Sequence, residues 1–154
     1  MIDKIKKYKA CSPLERRALV HAFVLLPLVK VSLVFRGFRR THKMLSILNS
    51  AKNEIPEGSI PAGNMTDQGQ SLARVVEIAG QNLPFEIKCL PISMVTQLLL
   101  RRRGIPGDLR IGVKRFEDDF EAHAWVELDG HPLRQRADQK NQFSPFSTPI
   151  TPPI

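Results

Sequence analysis

The run Lys88-Cys89-Leu90-Pro91-Ile92-Ser93-Met94-Val95-Thr96-Gln97-Leu98-Leu99-Leu100-Arg101-Arg102-Arg103-Gly104 decides the fold. It carries every terminal signal of a helix. Proline falls in the first turn, where a missing amide hydrogen costs nothing. Met94, Val95, Leu98 and Leu99 form one apolar stripe, arginines oppose the negative end of the dipole, and Gly104 stands past the end. Cys89 heads this helix, so its thiol meets the positive end of the macrodipole, which favours the thiolate.

Downstream the periodicity changes from helical to alternating. Leu109, Ile111 and Val113 predict one strand and Ala122 to Leu128 a second, joined by the charged turn Glu117-Asp118-Asp119. On the second strand His123, Trp125 and Glu127 share one face, and Ala122, Ala124, Val126 and Leu128 the other. If that strand packs on the helix headed by Cys89, His123 can take the thiol proton and return it to a leaving amine. The Cys89 amide is then a natural oxyanion donor. Asp129-Gly130 turns the chain into a third strand near His131 to Arg136. A three-residue loop, Leu128 to Gly130, would pair His123 with Gln135, whose carbonyl can orient the imidazole. A two-residue turn would instead set Arg136 opposite His123, where a cation disfavours the imidazolium, so the chemistry favours the first register.

Upstream, Ser12-Pro13-Leu14-Glu15 is a capping box that starts a helix. Ala18 to Phe35 is almost wholly apolar, interrupted by His21, Pro27, Lys30 and Ser32, and it runs into Arg36, Arg39, Arg40 and Lys43. Lys30 at bilayer depth would cost about 3 kcal/mol and Pro27 bends a helix. The segment therefore reads as two buried or partner-binding helices broken near Pro27, with a basic helix lying on an anionic membrane surface as a second reading. Pro56, Gly58, Pro61, Gly63 and Gly69 predict a loop, and Leu72, Val75, Val76 and Ala79 a short helix from Ser71 closed by Gly80. The resulting divisions are a helical region 1–52, a loop 53–70, a candidate catalytic region 71–142 and an extended or disordered Pro-rich tail 143–154.

Composition narrows the partners. The chain of 154 residues has 23 Lys and Arg against 15 Asp and Glu, a formal net charge of +8, which suits acidic peptides, anionic surfaces or nucleic acid. Few aromatics and no nucleic-acid motif count against nucleic acid. Cys11 and Cys89 stand in unlike contexts, which argues against a disulfide framework and for a reducing cytoplasm, with membrane association of the basic apolar helix as an added expectation. No small-residue cleavage site follows the apolar segment, so a secretory signal is not expected. No metal or cofactor is expected, since Cys89, His123 and His131 lack ligand spacing. His21, His42 and His131 have no evident partner. Taken singly, Cys89 also reads as a small apolar filler and His123 as a half-buried strand residue.

Four motifs in order carry a resemblance: Lys88-Cys89-Leu90-Pro91, then Leu100-Arg101-Arg102-Arg103-Gly104-Ile105-Pro106, then Leu109-Arg110-Ile111-Gly112-Val113, then Ala122-His123-Ala124-Trp125-Val126-Glu127 with Gly130. The order resembles the transglutaminase-like cysteine proteases of lasso peptide biosynthesis, the stand-alone leader-peptidase half of the lasso B protein, and it is similar to the C-terminal domain of microcin-processing enzymes. The resemblance implies a papain-like or transglutaminase-like α+β fold, Cys89 as nucleophile and His123 as base. It also implies a ribosomally made precursor peptide as substrate, a small leader-binding protein that delivers it, and a separate lasso cyclase. The third position, often aspartate in that family, falls on Gln135. A non-catalytic adaptor that holds the precursor or a partner is the alternative from another class, and a transglutaminase or amidase a third.

Overall fold

The computed structural model describes residues 12–50, 62–116, 119–134 and 144–145. Its first element starts where the capping box places it. The Ser12 amide donates to Glu15 Oε2 (2.7 Å) and the Glu15 amide to Ser12 Oγ (3.2 Å), satisfying two amides that a helix start leaves without partners. Helix α1 then runs over Pro13–Ser50. It passes through Pro27 instead of breaking there, and its backbone leaves helical geometry at Gly37 (φ 71°, ψ 175°). Pro27 forfeits one intrahelical hydrogen bond, but Ala22, Leu26 and Val29 beside it are fully buried, and that packing keeps the segment helical. Glycine adopts the positive φ at 37 without the strain a side chain would bring. Lys30 is not loose in solvent: its Nζ donates to the Glu86 carbonyl at 2.8 Å and stands 4.7 Å from the centre of the Phe85 ring. That contact pins the segment leading into Cys89 against α1.

Helix α2 covers Ala62–Gln81, beginning at Ala62 and not at Ser71, so the second half of the loop expected over 53–70 is helical. Leu72, Val75, Val76 and Ala79 form its buried stripe. Helix α3 (Cys89–Arg101) is buried along nearly its whole length, from Pro91 through Leu100, because α1 and α2 cover one side and a sheet the other. The sheet is antiparallel, in the order β3-β2-β1-β4, with β1 at Asp108–Phe116, β2 at Asp119–Leu128, β3 at His131–Pro132 and β4 at Ser144–Pro145. Helices packed on one small antiparallel sheet make an α+β fold, the class that the resemblance implies. Within the tail expected to be extended or disordered, Ser144–Pro145 pairs with the edge of β1; the rest of 135–154 lies outside the described residues.

The hairpin after β2, the length of the third strand and the surroundings of His42 also differ from the sequence reading. The β2–β3 hairpin closes with Leu128 opposite His131 and Glu127 opposite Pro132, around a two-residue turn in which Asp129 (φ 50°) and Gly130 (φ 74°) are both left-handed. This is the primed turn that Asp-Gly favours, because its twist matches that of the strands. The three-residue loop that would pair His123 with Gln135 does not form. The third strand ends at Pro132: Arg134 turns to φ 60°, its amide donates to Gln70 Oε1 (3.0 Å) and its Nε to Glu77 Oε2 (3.1 Å), so the chain leaves the sheet to dock on α2. His42, for which no partner was expected, is buried, stacks on Phe38 (centroids 5.5 Å apart) and bonds to the Gln97 side chain.

Candidate active site

The site forms where the head of α3 meets the edge of β2 that no strand covers among the described residues. Beyond Val126, whose carbonyl accepts from the Leu133 amide at 2.8 Å, β3 no longer covers that edge. The peptide groups of Ala124 therefore need partners from elsewhere, and α3 supplies them. Ser93 Oγ donates to the Ala124 carbonyl at 2.9 Å, while the Ala124 amide donates to the Cys89 sulfur. Cys89 and Ser93 stand one turn apart on one helix face, so two small polar side chains satisfy both groups of one edge residue. This seats β2 on the helix tip and brings the residue before Ala124, His123, to the thiol.

Cys89 is half-buried and free, and it is hydrogen-bonded to the His123 side chain. Burial pushes the thiol up. The His123 hydrogen bond, the Ala124 amide, the His123 charge and the Leu90 amide together outweigh it, and the thiol ends below its ordinary value of 9.0. Lys88 occupies the N-cap without a side-chain cap, and Pro91 has no amide hydrogen, so the helix start presents the Cys89 and Leu90 amides without a capping side chain. The Leu90 amide serves the sulfur; the Cys89 amide points the dipole's positive end at the same region.

His123 is itself held from the far side. Its ring stacks on Trp125 with centroids 6.0 Å apart and planes at 18°; Trp125 Nε1 donates to Glu127 Oε1 (2.9 Å), and Arg110 Nε to Glu127 Oε2 (2.9 Å). The shared face of His123, Trp125 and Glu127 is thus the one the alternation predicts. One cleft is lined by Cys89, Ser93, His123 and Trp125, and it is walled by the Glu77–Arg134 ion pair. Among the described residues no group of three His, Cys, Asp or Glu side chains is arranged to hold a metal ion.

Of the residues singled out in the sequence, Cys89 and His123 come together. Gln135 lies outside the described residues, and the register that argued for it is not formed, so its orienting role stands only on the resemblance. The sequence reading missed Ser93, although its i+4 spacing from Cys89 was visible. It also missed Glu77 and Arg134, whose meeting depends on the hairpin leaving the sheet and has no local signal.

Comparison with known families gives one match: the profile of the Transglutaminase-like superfamily covers residues 25–148. No curated protein and no solved structure matches the chain.

Proposed function

The chain belongs to the transglutaminase-like superfamily, which includes cysteine peptidases and transglutaminases, and from that premise we propose that it is a cysteine peptidase removing the leader from a ribosomally made precursor during lasso peptide maturation. The observation that carries the peptidase reading is the hydrogen-bonded Cys89–His123 pair at an uncapped helix start, open to a cleft. The lasso assignment rests on the ordered motifs from Lys88 to Gly130. The same resemblance supplies the expected partners, a leader-binding protein that delivers the precursor and a cyclase that takes the released core.

In this mechanism His123 accepts the thiol proton and the sulfur attacks the carbonyl carbon at the leader–core junction. The negative oxygen of the tetrahedral intermediate lies toward the Cys89 amide. Collapse breaks the C–N bond, His123 protonates the departing amine, and the leader remains as a thioester on Cys89. A water molecule, deprotonated by His123, then attacks the thioester and releases the leader carboxylate with regeneration of the thiol. Trp125 holds the imidazole plane from behind, a positioning role that does not depend on a third titrating group.

The test is mass spectrometry of the cognate precursor incubated with the purified chain and the leader-binding protein. Hydrolysis at one bond, absent with Cys89→Ala, is the expected result. Binding without cleavage would identify an adaptor, and products carrying an amine in place of water would identify a transglutaminase. Either outcome overturns the peptidase reading.

A further inference from the structure

Helix α1 has two apolar faces and the domain uses one. Ala18, Ala22, Leu26 and Val29 are buried against α2 and α3. On the opposite face Val20, Val24, Leu28, Val31, Val34 and Phe35 are each more than half exposed, Phe35 at 82 %. At 100° per residue these six fall within one stripe, and at 1.5 Å per residue it is about 22 Å long. Scattered exposed apolar residues are ordinary, whereas a continuous stripe of this kind marks a docking surface.

Charge selects the occupant. Arg16 and Arg17 lie at the start of the stripe, and Arg36, Arg39, Arg40 and Lys43 follow Phe35. The last four take part in no ion pair among the described residues. The sole carboxylate of α1, Glu15, is turned inward to Ser12, Ser71 and Arg74. A valine and leucine stripe bracketed by cations, with no anion facing outward, complements a surface that is apolar within and negative at its boundary.

We propose that α1 docks in the plane of an anionic lipid bilayer, burying the Val20–Phe35 stripe among the acyl chains while its arginines engage the headgroups. The helix is long and apolar enough to cross a membrane, but a spanning orientation would have to surrender Ala22, Leu26 and Val29 from the protein core. The in-plane orientation keeps them. It holds the head of α3 at the membrane surface through Lys30, whose bond to Glu86 precedes the Cys89 cleft. This docking is independent of what the cleft cleaves.

The experiment is flotation of the full chain with vesicles of phosphatidylcholine alone or mixed with phosphatidylglycerol. Partition into the anionic vesicles is expected to exceed that into neutral ones about tenfold or more, and to fall by a similar factor in Arg39→Glu/Arg40→Glu or at high salt. Val24→Asp/Leu28→Asp, at exposed positions, should abolish it while the Cys89 alkylation rate stays unchanged, which reports an intact fold. A Phe35→Trp probe should be quenched by brominated acyl chains. Absence of flotation overturns the proposal. So does equal partition into neutral vesicles, or binding that survives both charge reversal and alkaline wash, as a spanning helix would. A dimer in solution that dissociates in Val24→Asp/Leu28→Asp, without any lipid binding, would assign the stripe to a second copy.

Discussion

His123 and His42 both pack against α3, one near its first residue and the other along its last turns, and the helix treats them differently. At the head the helix offers amides, the positive end of its dipole and the Cys89 thiol, and His123 stands half-buried beside an open cleft. Toward the tail His42 is buried, bonded to Gln97 and close to Arg101. Burial and the Arg101 charge hold its imidazole below the ordinary 6.5 against the opposing Gln97 bond. Gln97 in turn donates to the Gly107 carbonyl at 3.1 Å, so the His42 cluster closes on itself. A histidine becomes a candidate base through what faces it: a nucleophile and solvent in one case, a satisfied amide and a stacked ring in the other.

The largest effect that would break this contrast is at the thiol. Cys89→Ala should remove cleavage entirely while the chain still unfolds in one cooperative transition, lowered because the Ala124 amide loses its acceptor; retained cleavage would make the two ends equivalent. Next, His123→Ala should slow cleavage about 10²- to 10⁴-fold, the range for losing a general base, whereas His42→Leu should leave the rate within experimental scatter. Equal losses from the two histidines, measured as kcat/KM on the same precursor, would contradict the division between them.

Stability measurements sharpen the contrast. Ser93→Ala leaves the Ala124 carbonyl buried without its donor and should cost about 1–3 kcal/mol in denaturant melts. It should also slow cleavage, because the same contact seats His123. His42 gives a pH signature. With its folded value below 6.5, the unfolded chain takes up a proton first as pH falls. Stability is therefore intact above pH 6.5 and declines as acid is added through the window beneath it. His42→Leu should flatten that decline in melting temperature between neutral and mildly acidic pH; an unaltered slope would place the titration elsewhere. The smallest effect is expected at the Glu77–Arg134 wall, where both side chains are partly exposed and removal of the pair should cost no more than about 1 kcal/mol.

The features legible in the sequence are those decided locally. The Ser12–Glu15 box, the helix from Cys89 and the alternating face of His123, Trp125 and Glu127 each rest on residues within a turn or a strand of one another. What escaped was decided by packing. Pro27 looks like a break because its cost is local, while the gain from Leu26 and Val29 is not. The start of α2 looks like a loop because Gly63 and Gly69 are poor helix formers, yet a methyl group at Gly69 would sit 3.5 Å from Leu128 and Leu133, in contact with side chains the sequence places far away. The three-residue loop suits the chemistry of His123, while Asp129-Gly130 follows the twist of its strands. Gln135 belongs to the first register, and the contact of Ser93 with Ala124 arises only from packing.

The most direct test of the Cys89–His123 pair is the pH dependence of iodoacetamide alkylation, followed at Cys89 by peptide mapping because Cys11 is also a thiol. The native chain should show a midpoint below the ordinary thiol value of 9.0 and His123→Ala an upward shift, with His42→Leu leaving it in place. A midpoint at or above 9.0 that ignores His123 would contradict the pairing.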